Sequence, residues 1–134
     1  MFIHKKELCI GCRACQQACR ERSDLPPGVF FLRIEGRESQ AGEVSVSYRA
    51  RVCMQCARPK CAEACKAGAI ARGRDGIVHV DASACTGCGR CVSACPFGAM
   101  VMLYSKAAKC EQCSGARPAC EAACPAFCIT VQRK

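Results

Sequence analysis

Cysteine spacing constrains this chain more than any other feature of its sequence. The 134 residues include 17 cysteines, and all but one of them fall into four regularly spaced windows. The windows are Cys9-x2-Cys12-x2-Cys15-x3-Cys19 (window one), Cys53-x2-Cys56-x4-Cys61-x3-Cys65 (window two), Cys85-x2-Cys88-x2-Cys91-x3-Cys95 (window three) and Cys110-x2-Cys113-x6-Cys120-x3-Cys124 (window four). Because every window has four cysteines and ends in C-x3-C, the windows form an internal repeat.

The C-x2-C-x2-C spacing matches what a [4Fe-4S] cluster requires. Such a cluster needs four thiolates, and this spacing wraps three of them around it in a tight loop, where glycines let the backbone approach the sulfides. In the two-cluster bacterial pattern the cysteine that ends a window, usually followed by proline, binds the other cluster. Residues 85–100, CTGCGRCVSACPFGAM, carry every element of this pattern. We therefore expect four [4Fe-4S] clusters.

Two other uses of cysteine fit the sequence less well. Structural zinc sites usually combine widely separated C-x2-C pairs and often histidine, whereas His4 and His79 lie outside the windows and are expected to be surface or strand residues. A disulfide framework requires an oxidising compartment and would leave one thiol over. The N-terminus has no apolar leader, and no apolar run has the roughly 18 residues of a membrane helix, so we expect a cytoplasmic chain without a membrane span.

The net charge depends on whether the clusters are counted. The formal charge of the chain is +9, which by itself would suggest nucleic acid as a partner. Each oxidised cluster with its four thiolates carries a charge of about −2, so the chain with four clusters bound has a net charge of about +1. We interpret the basic residues as counter-charge for the clusters and expect no nucleic-acid partner.

Residues 29–52 form the longest segment between windows. Val44, Val46 and Tyr48 alternate with polar residues there, which predicts a β-hairpin at about 29–52. Helix is expected only as short turns across each C-x3-C. Together with the short strands, these elements predict an α+β fold.

Shorter strands are predicted between and after the later windows. The turn signal Arg74-Asp75-Gly76 predicts that residues 77–80 pair with residues 69–72. Residues 99–103 and 128–131 are expected to pair with each other.

Windows one, two and four depart from the standard pattern. Cys19 is followed by Arg20 and Cys65 by Lys66, so a cation replaces proline without removing a thiolate. The x4 and x6 spacers enlarge the loop before the third cysteine in windows two and four. These loops are either docking surfaces or tolerated insertions, and the second interpretation is slightly favoured.

Cys128 is the one cysteine outside the windows. Aligned on the last cysteine of each window, Cys128 falls in the column of Ala69 and Ala99. That column is small and apolar, so Cys128 is predicted to be a buried free thiol and not a ligand. The rival interpretation makes Cys128 replace Cys124, but Cys124 has both the C-x3-C spacing and the following Pro125.

The four windows resemble those of the four-cluster ferredoxin-type electron-transfer subunits of molybdenum or tungsten pterin oxidoreductases, formate-hydrogenlyase-type hydrogenases and carbon monoxide dehydrogenases. The resemblance extends from Cys9 to Ile129. It implies two nested ferredoxin-like units: an inner unit at 50–104 from windows two and three, and an outer unit at 1–28 and 105–134 from windows one and four. Residues 29–49 would be a β-hairpin insertion.

The nested pairing implies four ligand sets. Set A is Cys65, Cys85, Cys88 and Cys91; set B is Cys53, Cys56, Cys61 and Cys95; set C is Cys19, Cys110, Cys113 and Cys120; set D is Cys9, Cys12, Cys15 and Cys124. The inner pairing has independent support, because the segment between Cys65 and Cys85 suits the hairpin that joins the halves of a two-cluster ferredoxin.

The resemblance implies a subunit without catalysis of its own. It would relay single electrons between a catalytic oxidoreductase subunit, with a tungsten aldehyde oxidoreductase favoured, and a second redox subunit or carrier. The alternatives are a formate dehydrogenase, hydrogenase or carbon monoxide dehydrogenase as the partner, or a free polyferredoxin. Free low-potential ferredoxins are typically acidic, so the near-neutral loaded chain favours a hetero-oligomer, and end-to-end self-association is an open alternative.

Overall fold

The computed structural model describes residues 1–39, 42 and 45–132. Its elements are short, and the predicted α+β class is confirmed. The helices are α1 (Ala14–Arg22), α2 (Lys60–Ala64), α3 (Arg90–Ala94) and α4 (Ala119–Ala123), with a 3₁₀ segment at Gln112–Gly115. The strands are β1 (Phe2–His4), β2 (Arg33–Ser39), β3 (Ser45–Arg51), β4 (Ile70–Arg72), β5 (Val78–Val80), β6 (Val101–Leu103), β7 (Lys106–Ala108) and β8 (Ile129–Val131).

Two of the predicted hairpins are present. Strands β2 and β3 pair antiparallel from Arg33↔Arg51 to Ser39↔Ser45, as the alternation at about 29–52 predicts. Val44, one of the alternating residues, lies outside the described residues. Strands β4 and β5 pair with Ile70 opposite Val80, as the Arg74-Asp75-Gly76 turn predicts.

The predicted pairing of residues 99–103 with residues 128–131 is wrong. Strand β6 pairs with β7, and β8 pairs with β1 at the other end of the chain. Tyr104 and Ser105 connect β6 to β7 and both have positive φ, 48° and 63°. Two consecutive residues of this kind give the turn whose twist suits a tight hairpin. Since such a short loop closes at little entropic cost, pairing of β6 with the adjacent strand β7 is favoured over pairing with the distant residues 128–131.

Helix α1 is longer than the predicted short turn. It has nine residues, whereas α2, α3 and α4 have five each. In windows two to four the helix ends just before the last cysteine of the window. The third residue after that cysteine then has positive φ: Gly68, Gly98 and Phe127. Window one has neither proline nor such a residue after Cys19, so its helix continues for three more residues.

The apolar core has two parts, and cysteine supplies much of both. The outer part joins Leu32, Ile34, Val52 and Ile129 to four cysteines, with helix α1 against α4. The inner part joins Ile70, Val78, Met100 and Ala107 to Cys91, with α2 against α3. Among the described residues, only Leu32 and Val78 are large side chains with almost no exposure. Large apolar side chains therefore fill only a small part of this core.

His79 links the inner and outer parts from strand β5, where the sequence predicts a strand or surface residue. Its Nε2 lies 2.9 Å from Asp75 Oδ2, and its Nδ1 lies 3.1 Å from Glu111 Oε2. The other oxygen of Glu111 accepts the Val80 backbone N–H at 3.0 Å. Hydrogen bonds that His79 donates to Asp75 and then to Glu111 raise its pKa above the ordinary value of 6.5.

This link predicts a pH-dependent contribution to stability. Because the folded pKa of His79 is raised, its contribution is complete below 6.5 and is lost as pH rises through the folded value. The free energy of unfolding of the protein should therefore exceed that of His79→Asn more at about pH 6 than at about pH 8.5. Denaturant titration of both proteins across this range measures the difference. A difference that stays constant with pH contradicts the ionic role.

Candidate metal centres

Set B converges on one cavity in the inner part. Cys53, Cys56, Cys61 and Cys95 all line it, although Cys95 comes from window three and the others from window two. Apolar groups complete the walls, among them Val78 and Met100. The α2–α3 contact brings the C-x3-C segments of the two windows together and so carries Cys95 to the thiols of window two.

Set A converges on a second cavity in the same part. Cys65 joins Cys85, Cys88 and Cys91 there, beside Ala69, Ile70 and Ala107. The crossing is reciprocal, because each window contributes its last cysteine to the other. This is the arrangement that two-cluster ferredoxins use.

The thiols of set C interact in the outer part. Burial raises the pKa of Cys19 to about 12, and the thiolates of Cys110, Cys120 and Cys113 raise it further. Burial and then Cys110 likewise raise the pKa of Cys120 to about 12. Cys19, Cys110 and Cys113 also line a common cavity.

Set D lies at the end where β1 meets β8. Burial raises the pKa of Cys15 to about 11. A backbone hydrogen bond partly opposes this rise, and the thiolates of Cys124, Cys12 and Cys9 add to it. The α1–α4 contact brings Cys15 and Cys124 together from opposite ends of the sequence.

Each set fits a [4Fe-4S] cluster. Four thiols converge in each, and apolar groups line the cavities of sets A and B. In an empty chain, thiols such as Cys15 and Cys19 would stay protonated at neutral pH, because burial opposes the thiolate. A cluster supplies the positive charge that compensates four thiolates, so its binding is coupled to loss of these protons.

The sets follow one another in a row. Set A and set B share the α2–α3 pair. The thiolate of Cys53 in set B raises the pKa of Cys110 in set C, after the larger effect of burial. The thiolate of Cys15 in set D raises the pKa of Cys19 and Cys120 in set C in the same way. The order is therefore A, B, C and D, with B and C in the centre.

Backbone N–H groups point at several of the sulfurs. Ala69 donates to Cys65 Sγ at 3.3 Å and Ala99 to Cys95 Sγ at 3.4 Å. Burial acts to raise the pKa of Cys124, but Cys128, in the same column of the repeat, donates its N–H to the Cys124 sulfur and helps to lower that pKa. Such bonds favour the thiolate and tune the potential of a cluster. Residues in this column therefore donate a backbone N–H to a cysteine sulfur whatever their side chain is.

The Cys128 side chain is almost completely buried beside set D. Its Sγ lies 3.3 Å from Cys124 Sγ, and burial raises its pKa to about 12. A ring nitrogen of His4 and the sulfurs of Cys9 and Cys128 lie within 4.8 Å of one another. The ring Nδ1 accepts the Ala50 N–H at 3.3 Å, and Nε2 is buried without a hydrogen-bond partner among the described residues. The position of His4 beside set D follows from the β1–β8 pairing and has no signal in the sequence.

Gly87 and Gly89 in window three give a matched test of close backbone approach. A Cβ on Gly87 would lie 2.4 Å from the Ser105 carbonyl oxygen, whereas one on Gly89 would meet nothing within 4 Å. Both have positive φ, 78° and 75°, so alanine should cost about 1–2 kcal/mol of strain at either position. Gly87→Ala should lower the thermal midpoint further and release iron from set A, because it also displaces the β6–β7 turn. Equal midpoints for the two variants would show that the overlap is relieved without cost.

Comparison with known proteins matches the chain to iron-sulfur domains. Two family models match, both described as 4Fe-4S dicluster domains, one over residues 44–134 and the other over residues 8–69. Together they span all four windows.

Three relatives cover nearly the whole chain. Protein NrfC of Escherichia coli K12 is 37% identical over 140 aligned positions, and the B subunit of the polysulfide reductase of Wolinella succinogenes is also 37% identical over 140. Both alignments cover 96% of this chain. The thiosulfate reductase electron transfer subunit PhsB of Salmonella typhi is 34% identical over 136 positions, covering 93% of this chain. The chain spans 63% of the length of NrfC, 73% of the polysulfide reductase subunit and 71% of PhsB.

Proposed function

The protein belongs to the family of 4Fe-4S dicluster proteins, and on that premise we propose that it is the iron-sulfur electron-transfer subunit of a multi-subunit oxidoreductase. It carries four [4Fe-4S] clusters. Each cluster supplies one-electron transfer chemistry when bound. The observation that carries the proposal is the row of thiol sets, in which sets A and B share the α2–α3 helix pair, and thiolates of B and C, and of C and D, interact electrostatically.

We assign the clusters to the four sets as ligands. Set A is Cys65, Cys85, Cys88 and Cys91; set B is Cys53, Cys56, Cys61 and Cys95; set C is Cys19, Cys110, Cys113 and Cys120; set D is Cys9, Cys12, Cys15 and Cys124. Most of these thiols are buried or partly buried, which limits the access of water to the sulfurs, and the backbone N–H groups that point at several of them tune the potentials. Cys128 is not a ligand in this assignment.

The partners are a catalytic subunit and a second redox subunit or carrier. Relatives are named as subunits of polysulfide and thiosulfate reductases, which supports a reductase of small sulfur compounds as the catalytic partner. The tungsten aldehyde oxidoreductase favoured from the sequence has no support in these names and is the weaker candidate. We propose a cytoplasmic location because so many unpaired thiols need a reducing compartment. No helix in the described part of the chain is long and apolar enough to cross a membrane.

Two measurements test the proposal. Iron and acid-labile sulfide should each reach about 16 atoms per chain, and a colourless zinc protein would contradict it. Size-exclusion chromatography of the native protein from its source should place it in a larger assembly. A lone species near the chain mass of 14.3 kDa would favour the free polyferredoxin instead.

A further inference from the structure

Lys109 is a buried cation without a carboxylate partner among the described residues. Only 3% of the residue is exposed, and no carboxylate within the described ranges forms an ion pair with it. A buried lysine normally requires a compensating negative charge, because removing an ammonium from water is costly. The compensating charge near Lys109 must therefore come from something other than an acidic side chain of the described residues.

Two oxygen atoms hold the Lys109 ammonium between windows two and four. Its Nζ donates to the Cys110 carbonyl at 2.8 Å and to Gln55 Oε1 at 3.3 Å. Gln55, which lies between Cys53 and Cys56, is itself buried and donates to the same Cys110 carbonyl at 2.8 Å. The ammonium is thus fixed where the loop of set B meets the loop of set C.

Gln55 is held in turn by the inner hairpin. Its Oε1 accepts the Val78 N–H at 2.8 Å, and its backbone carbonyl accepts a bond from Arg72 at 3.1 Å. The glutamine therefore cannot swing away without breaking several bonds. Its rigid position fixes the distance of the ammonium from both loops.

The ammonium lies against residues of both central sets. It bonds to the carbonyl of Cys110 in set C and to the side chain of Gln55, whose sequence neighbours on either side include Cys53 and Cys56 of set B. With a cluster in each set, two bodies of negative charge would flank the ammonium. They are the compensation that the acidic side chains do not provide.

We propose that Lys109 is the shared counter-charge of the two central clusters and that it raises the reduction potential of both. This inference rests on the proposed function and goes beyond it. Each one-electron reduction adds one negative charge, and a fixed buried cation on either side of the junction stabilises that charge with little screening by solvent. Lys109 is a positioning residue, since it acts on the electron without binding a substrate. It thereby favours the transfer of electrons between the clusters of sets B and C.

Lys109→Gln and Lys109→Met test the proposal in the purified full-length holoprotein. Each removes the charge, and Met also avoids leaving a polar group unpaired in the core. Redox titration followed by electron paramagnetic resonance should show two of the four potentials falling by more than 59 mV, a tenfold change in the one-electron reduction equilibrium. Iron content should stay at the level of the unsubstituted protein. Lys109→Arg keeps the charge and should restore both potentials.

Lys106→Gln is the matched control. Lys106 donates to the Cys85 carbonyl, so it neighbours set A and lies away from the B–C junction. Its removal should leave the two potentials that respond to Lys109 unchanged.

Four outcomes overturn the proposal: unchanged potentials in the neutral variants, an equal shift of all four, no restoration by arginine, or loss of iron from both neutral variants but not from Lys109→Arg. The last would assign Lys109 to holding the loops together. A lack of iron, sulfide and reducible clusters in the unsubstituted protein would instead overturn the proposed function itself.

Discussion

Cys124→Ala is expected to lose one cluster, about four irons per chain, whereas Cys128→Ala, four positions further on, is expected to keep all of them. Burial raises the pKa of Cys15, and the thiolates of Cys124, Cys12 and Cys9 raise it further, so Cys124 lies with these thiols of window one at the end of the row. Cys128 contributes its backbone N–H to the Cys124 sulfur, and alanine retains that N–H. Ala69 and Ala99 already occupy the same column beside sets A and B. Iron and sulfide determinations on the two purified variants measure the difference.

The same pair of variants separates the two interpretations of Cys128. If Cys128→Ala lost iron and Cys124→Ala retained it, Cys128 would be the ligand and the repeat alignment would be wrong. Equal loss from both variants would mean that the buried thiol pair is needed as a unit. Because both residues are buried in the same outer core, a general packing defect would affect them alike.

Removal of the clusters should abolish cooperative folding. Only Leu32 and Val78 among the described residues are large side chains with almost no exposure. Without clusters, the thiols of each set would surround an unfilled space in place of a packed core. Where a metal site does not preexist in the unfolded chain, metal-binding free energy becomes folding free energy. Treatment with a strong iron chelator under anaerobic conditions should therefore eliminate the thermal unfolding transition seen by circular dichroism.

A suitable control is a variant that retains the iron but lacks a different stabilising interaction. His79→Asn removes the link between the inner and outer parts but touches no cysteine. It should keep a single cooperative transition at a lower midpoint. If the chelated protein also melted cooperatively, the small apolar core would be sufficient by itself.

The sequence predicts the parts of this structure that depend on local spacing. The four windows, the α+β class and the 70–72/78–80 hairpin follow from cysteine spacing and a strong turn signal. The β6–β7 hairpin does not, because Tyr104-Ser105 lacks the glycine or asparagine that normally marks such a turn. Strand β1 has three residues and acquires its partner, β8, only through the tertiary fold.

Residues that act through burial are the hardest to find from sequence. Lysine is usually exposed, so nothing distinguishes Lys109 from the other cations of a chain with 20 lysines and arginines. Its position becomes clear only when the fold brings Gln55 and Cys110 together. His4 is similar, because its contact with set D depends on the β1–β8 pairing.

The β1–β8 pairing also determines when the outer part can assemble during synthesis. Helix α1 packs on α4 and β1 pairs with β8, so the thiols of window one wait for partners that leave the ribosome much later. At about 5–20 residues per second, the interval between Cys19 and Cys110 is roughly 5–20 s. Windows two and three emerge consecutively and find their partners during that interval. Assembly should therefore begin in the middle of the chain, and a ribosome stalled before window four should hold an inner unit beside reactive, unprotected N-terminal thiols.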